Sequence, residues 1–195
     1  ISYFFIKLNG VKHIKFKTCV YAISKNEEKF VNRWYESIKQ SDYICVLDTG
    51  STDKTVEKLK QLGVNVKVQT INPWRFDEAR NESLKMIPND TDICICLDLD
   101  EVMCKNWKNE LNKVWSKDID RLQYIYNWKL DDKNKPLISF YADKIHSYGK
   151  YKWINAVHEV LINTTDKNEN TSKTDKIIIN HYPDASKSRG SYLPL

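Results

Sequence analysis

The chain has 195 residues, 41% hydrophobic and 12% aromatic, enough for one sizeable core and too apolar for a disordered segment; a second full domain is not expected. Its 31 basic and 26 acidic residues leave a net charge of +5 with no long basic block, a balance that suits anionic small molecules as well as nucleic acid and decides little. No apolar run approaches the roughly 20 residues that span a bilayer, no signal peptide is visible, and the five cysteines are too few and odd in number for a disulfide framework.

The first residue is Ile1, not Met, so we expect a fragment of a longer protein. Phe16 to Ile23 reads as a strand. Ser24-x-x-Glu27 is a capping-box pattern that predicts a helix with Phe30, Trp34 and Ile38 on one face. Tyr43 to Leu47 is a second apolar strand, ended by Asp48-Thr-Gly-Ser-Thr-Asp53. A short helix over Val56 and Leu59 should stop at Gly63, and Val64, Val66 and Val68 alternate as a third strand. Phe76 to Ile87 reads as a helix ended by Pro88.

The stretch from Asp92 to Cys104 organises the rest. Ile93-Cys-Ile-Cys-Leu97 is a nearly unbroken apolar run, as in a strand covered on both faces. It ends in Asp98, Asp100 and Glu101, at the carboxyl end of a buried strand, where open α/β sheets place ligands. Alternation along an extended chain sends Asp98 and Asp100 to one side, where two like charges would repel unless a cation lies between them. That points to Mn²⁺ or Mg²⁺ beside a phosphate. The plainer alternative is an acidic turn that caps the next helix. Cys19, Cys45, Cys94 and Cys96 lie in apolar runs and read as core thiols in a reducing compartment; Cys94-x-Cys96 lacks zinc-site spacing.

Beyond it, Trp107 to Trp115 predicts a helix. Leu122 to Trp128 and Leu137 to Tyr141 form a hairpin around Asp131 to Pro136. Trp153 to Asn163 and Ile177 to His181 read as strands separated by a polar loop, Thr164 to Lys176. The aromatics and histidines of this half suit an acceptor platform. Strands alternating with helices predict an α/β fold with a mostly parallel sheet, Asp48 and Asp98 both at its carboxyl edge.

Each motif has a plainer reading. Asp48-Thr-Gly-Ser51 also resembles the aspartic protease signature, but that fold is all β and here a helix follows. Ser51 or Thr52 would cap that helix and leave Asp48 free for a ligand. Asp98-Leu-Asp100 also resembles the nucleophile loop of haloacid-dehalogenase-like phosphatases, which carry it on the first strand rather than about the fourth. Arg80 could be a solvated helix charge or could reach a nucleotide. Glu159, in an aromatic surround, would have its pKa raised toward the range of a general base. His181, alone, reads as a histidine at the edge of the core.

In order, Ser24-Lys-Asn-Glu-Glu28, Val46 to Thr55, Phe76 to Asn81, Leu97 to Val102, Val157-His-Glu159, Asn180-His-Tyr-Pro183 and Lys187-Ser-Arg189 resemble a GT-A-fold glycosyltransferase of family 2. They are most similar to the subgroup often fused to tetratricopeptide repeats. The likeness runs from about residue 17 to the end. It implies a Rossmann-like mixed, mostly parallel sheet flanked by helices in one catalytic domain over 1–195, with a nucleotide-sugar half over about 17–101 and an acceptor half over about 102–195. It implies an inverting transfer from a nucleotide sugar, UDP-linked favoured, with Mn²⁺ or Mg²⁺, to a glycan, protein or lipid acceptor. It implies no nucleic acid partner and no membrane span. A cytoplasmic location is expected from the core thiols. By the same resemblance Asp48 holds the base, Ala22, Ser24 and Glu27 border the nucleoside pocket, and Arg80 contacts the nucleotide. Asp98 sits near the ribose and the metal, Asp100 binds the metal, and His181 completes its shell. Glu159 is the base, with His158 or Glu101 in reserve. Where the family tends to show arginines before the His-Glu segment this chain has Asp143-Lys-Ile-His146, and where it shows Gly this chain has Asn155-Ala156. A non-catalytic nucleotide- or glycan-binding domain and the phosphatase are the alternative functions.

Overall fold

A computed structural model describes residues 15–165 and 168–184; the expected Lys187-Ser-Arg189 segment lies outside them. In chain order the elements are β1 (Thr18–Ser24), α1 (Val31–Ile38), β2 (Tyr43–Asp48), α2 (Thr55–Gln61), β3 (Asn65–Val68), α3 (Phe76–Leu84) and β4 (Ile93–Cys96). They continue with β5 (Glu101–Met103), α4 (Trp107–Val114), β6 (Arg121–Leu130), β7 (Pro136–Ser147), β8 (Tyr151–Ile154), β9 (Val160–Asn163) and β10 (Thr171–His181).

Among the described residues one mixed sheet runs β3-β2-β1-β4-β7-β6-β10-β5, and β8 and β9 form a separate hairpin. The β3-β2-β1-β4 half is parallel throughout, and β6 and β10 are also parallel. β7 joins the halves by pairing antiparallel with β4 and β6. The expected mixed, mostly parallel sheet flanked by helices is therefore what the chain forms.

Alternation along β1 feeds two cores. Val20 and Ala22 enter one with Trp34, Ile38, Leu97 and Trp107; Cys19 and Tyr21 enter the other with Cys94, Cys96 and Trp153. The cysteines are free, and those expected as core thiols are buried. Trp34 donates to Leu97 O at 3.1 Å and Trp107 to Ser37 O at 3.0 Å, so each large indole also satisfies its polar atom.

Several boundaries differ from expectation. The capping box does not form: Ser24 is the last residue of β1, and α1 starts at Val31 with no side-chain cap. α2 is not capped by Ser51 or Thr52 either; Asp53 Oδ1 accepts from the Thr55 amide at 2.9 Å. Trp153 to Asn163 is two strands, because Asn155 and His158 take positive φ (74° and 56°) and turn the chain between them. β10 begins at Thr171 inside the expected polar loop and is kept in the sheet by a register shift between Lys173 and Ile178.

Candidate functional site

The carboxyl edge of β1, β2 and β4 meets the amino end of α3, and between them lies a cavity of about 200 Å³. Ser24, Glu27, Trp74, Arg80, Asp98 and Asp100 are among its lining residues. The chain gets there by leaving β4 in a turn, with the Glu101 amide bonded to Asp98 O at 2.9 Å. That turn corrects the extended alternation expected here: Asp98 and Asp100 line one cavity but take different partners.

Asp98 is clamped in a fork by Arg80, whose Nη1 donates to Oδ1 and Nη2 to Oδ2, the latter at 2.7 Å. Burial works against a charge on Asp98, but the Arg80 guanidinium outweighs it and holds the carboxyl down at about 2. Arg80 is 3% exposed and lies over the Trp153 ring. It also donates from Nε (3.3 Å) and Nη2 (3.2 Å) to Oε1 of Glu159. Glu159 thus meets a guanidinium where an aromatic surround was expected. It arrives there because Asn81 of α3 grips Trp153 of β8 at both backbone atoms, 2.8 and 2.9 Å, and the Phe76 amide bonds Ala156 O at 3.0 Å. His158, a reserve base, is exposed in the same turn.

Asp100 lines the same cavity but takes a different partner. Its Oδ2 is 3.3 Å from Nε2 of His181, and its carbonyl accepts from the Tyr182 amide at 2.8 Å. His181 Nδ1 lies 3.1 Å from Trp128 O, a carbonyl that can only accept, so Nδ1 carries a proton; Nε2 faces Asp100 and donates to it when the ring is protonated. When the ring is neutral two acceptors face each other at that gap, an arrangement that suits a cation. Burial lowers the His181 pKa, but the bond to Asp100 outweighs it and the net shift is upward. The same histidine stacks on Trp128, ring centres 4.7 Å apart.

Glu101 is 2% exposed and bonds inward: Tyr126 donates to Oε1 at 2.7 Å and the Asp98 amide to Oε2 at 2.9 Å. Burial pushes its carboxyl up. Lys144, which sequence reasoning passed over as a departure from pattern, stands 4.0 Å from Asp98 and 3.9 Å from Glu101. Its pKa rises despite burial, because those carboxylates favour the charged form. The register of β7 against β6 shifts between Ala142 and Ile145, so alternation alone does not place Lys144.

Three expected placements are corrected. Ala22 is fully buried in the core and does not border the cavity. Asp48 is fully buried too, and its two oxygens accept four bonds: from Ser24 Oγ (2.7 Å), Gly50 N (3.1 Å), Ser51 N (2.7 Å) and Ser51 Oγ (2.5 Å). Four is about the lone-pair capacity of a carboxylate, so Asp48 ties the β2 loop to β1 and is not free for a nucleobase. Among the described residues no three His, Cys, Asp or Glu side chains gather to hold a metal ion, so Asp98 does not join Asp100 and His181 in one set. Ser24, Glu27 and Arg80 line the cavity.

A family model described as Glycosyl transferase family 2 matches residues 19–175. An uncharacterized glycosyltransferase of Rickettsia bellii (strain RML369-C) is 29% identical over 115 residues, covering 58% of this chain and 38% of that protein. The chain therefore spans well under half the length of this curated relative. TarS (residues 1–349) of S. aureus, solved in complex with UDP-GlcNAc, is 22% identical with a TM-score of 0.45, covering 61% of this chain and 36% of that one. Glucosyl-3-phosphoglycerate synthase of Mycobacterium tuberculosis, solved with Mn²⁺, UDP-glucose and phosphoglyceric acid, is 22% identical with a TM-score of 0.45, covering 57% and 44%.

Proposed function

The chain belongs to glycosyl transferase family 2, and from that premise we propose that it is the GT-A-type catalytic domain of an inverting glycosyltransferase, taking a sugar from a nucleotide diphosphate, UDP favoured, to an acceptor hydroxyl. The subgroup often fused to tetratricopeptide repeats fits its ordered motifs best. The observation that carries the reading is the Asp100–His181 pair at the mouth of a cavity backed by a buried, doubly paired arginine.

The donor set fits a hard divalent ion. A carboxylate oxygen and an imidazole nitrogen, the latter oriented by a carbonyl behind it, suit Mn²⁺ or Mg²⁺. Asp100 and His181 would hold the ion; bound there, it would neutralise the charge that develops on the departing diphosphate. Ser24 and Glu27 would border the nucleoside. Arg80 positions both halves of the site, fixing Asp98 under the donor and Glu159 toward the acceptor. Its two bonds to Glu159 both go to Oε1, so Oε2 would take the acceptor hydroxyl's proton on the face opposite the leaving group. A positioned base of this kind contributes roughly 10²–10⁴-fold.

A phosphatase reading would need Asp98 as nucleophile, yet Asp98 is forked onto Arg80. The free thiols suit a reducing, cytoplasmic compartment, and no helix among the described residues is long and apolar enough to cross a membrane.

The test is calorimetric titration of UDP with and without manganese, alongside manganese-dependent hydrolysis of a UDP-sugar against an EDTA control. Asp100→Ala should weaken manganese-dependent UDP binding and abolish turnover, while Glu159→Gln should keep binding and lose turnover. Equal UDP binding by wild type and Asp100→Ala in manganese would remove the metal assignment. Binding without hydrolysis or transfer in the wild type would leave a nucleotide-binding domain in place of an enzyme.

A further inference from the structure

Next to the Asp100–His181 pair the sheet presents rings that no other described residue covers completely. Tyr126 and Trp128 follow each other on one side of β6, Phe140 stands opposite Tyr126 on β7, and His181 ends β10 beside Trp128. Tyr126 and Phe140 rings are 5.4 Å apart, Tyr126 and His181 stack at 6.1 Å, and Trp128 lies on His181 at 4.7 Å. Tyr126 is buried, with its hydroxyl on Glu101, but Trp128 and Phe140 are each 48% exposed. An aromatic shelf therefore runs outward from the acidic tip.

We propose that this shelf, Trp128 and Phe140, is the acceptor subsite and that its occupant is a pyranose ring. A pyranose has one face of C–H bonds and a rim of hydroxyls. The shelf matches both: flat aromatic surface for the C–H face, and carboxylate and imidazole groups of Asp100 and His181 at its inner edge for the rim. Continuity selects this occupant. The indole is one ring from His181, and His181 is 3.3 Å from Asp100, so a sugar on the shelf carries a hydroxyl toward the donor site. The proposal rests on the transferase reading and narrows the acceptor to a glycan.

Saturation-transfer NMR with methyl β-D-glucopyranoside, methyl β-D-galactopyranoside and cellobiose tests it. At least one should receive saturation at its ring C–H protons. Trp128→Ala with Phe140→Ala should weaken that binding about tenfold or more, the scale of losing an aromatic contact, while Trp128→Phe should retain most of it. The thermal midpoint of the double variant serves as the control for folding. No saturation with any of the three sugars, full binding by a folded double variant, or a shelf whose surface is taken up by self-association that Trp128→Ala abolishes would each overturn the proposal. These readouts use no nucleotide, so loss of manganese-dependent UDP binding in the wild type would strike the transferase reading separately.

Discussion

The edge of the parallel half and the far end of the β6–β7 hairpin belong to one sheet but are built on opposite principles. At the edge, polar groups close on one another: the Ser24 hydroxyl and the Gly50 and Ser51 amides on Asp48, Arg80 on Asp98 and Glu159, Tyr126 on Glu101. At the hairpin end, Trp128, Leu137, Ile138, Phe140 and Tyr141 stand 41–58% exposed. A dry polar site must be pre-organised, because an unpaired buried group is costly. An apolar surface left in water costs stability only until something covers it, so it can wait for a ligand. The donor half is thus ordered before binding, and the hairpin end keeps its contact surface unspent.

The largest break in this contrast should come from Arg80. Arg80→Met keeps the length and removes the charge, leaving Asp98 and Glu159 without their shared partner. Stripping one member from a buried ionic cluster costs about 3–5 kcal/mol, so urea unfolding should show a loss of that size. Adding Asp98→Asn should restore part of it by removing the stranded charge. A neutral Arg80→Met would mean that the edge is not held by this network at all.

The seam between the two regions gives the next effect, and it depends on pH. His146 of β7 is 1% exposed and pairs through Nε2 with Tyr21 Oη of β1 at 3.0 Å; Trp153 donates to the same Oη at 3.1 Å. Nδ1 lies 3.0 Å from Ser147 O, so it carries the proton and Nε2 accepts. Burial pushes its pKa down to about 4. A histidine with a depressed folded pKa favours the fold above its unfolded value, about 6.5, and that stability is lost as pH falls toward 4. The expected loss is about 3 kcal/mol between pH 7 and pH 4 beyond what other groups contribute. It is read as the difference in pH-dependent unfolding between wild type and His146→Gln. Parallel pH profiles would show that the seam does not depend on a neutral imidazole.

Legibility in the sequence follows the same division. The inner strands β1, β2 and β4 were readable because they are buried on both faces for most of their length, which writes Ile93-Cys-Ile-Cys-Leu97 as an unbroken apolar run. Individual polar roles were not, because they are set across distance. Ser24 looked like a helix cap, yet its hydroxyl goes to Asp48, and Arg80 reaches Glu159 across 79 positions. Asp98 and Asp100 looked like one ligand pair because their spacing assumes an extended chain, and a single turn sends them to different partners. The expected strand through Glu159 broke because Asn155 and His158 adopt left-handed backbone, which non-glycine side chains do not announce.

The smallest effect is the most discriminating for the hairpin end. Leu137→Ser replaces a leucine that is 58% exposed, outside the proposed shelf. Surface positions with no packing role shift stability by within about 0.5 kcal/mol, so urea midpoints of the two proteins should nearly coincide. The same hairpin buries Leu122 and Ile145 completely where it crosses the core, so the result separates its two ends without changing element or register. A loss well above that bound would mean that Leu137 is already covered in the folded protein. The apolar end would then be structural packing, and the division between an ordered donor edge and an uncommitted contact surface would fail at the place where it is drawn most sharply.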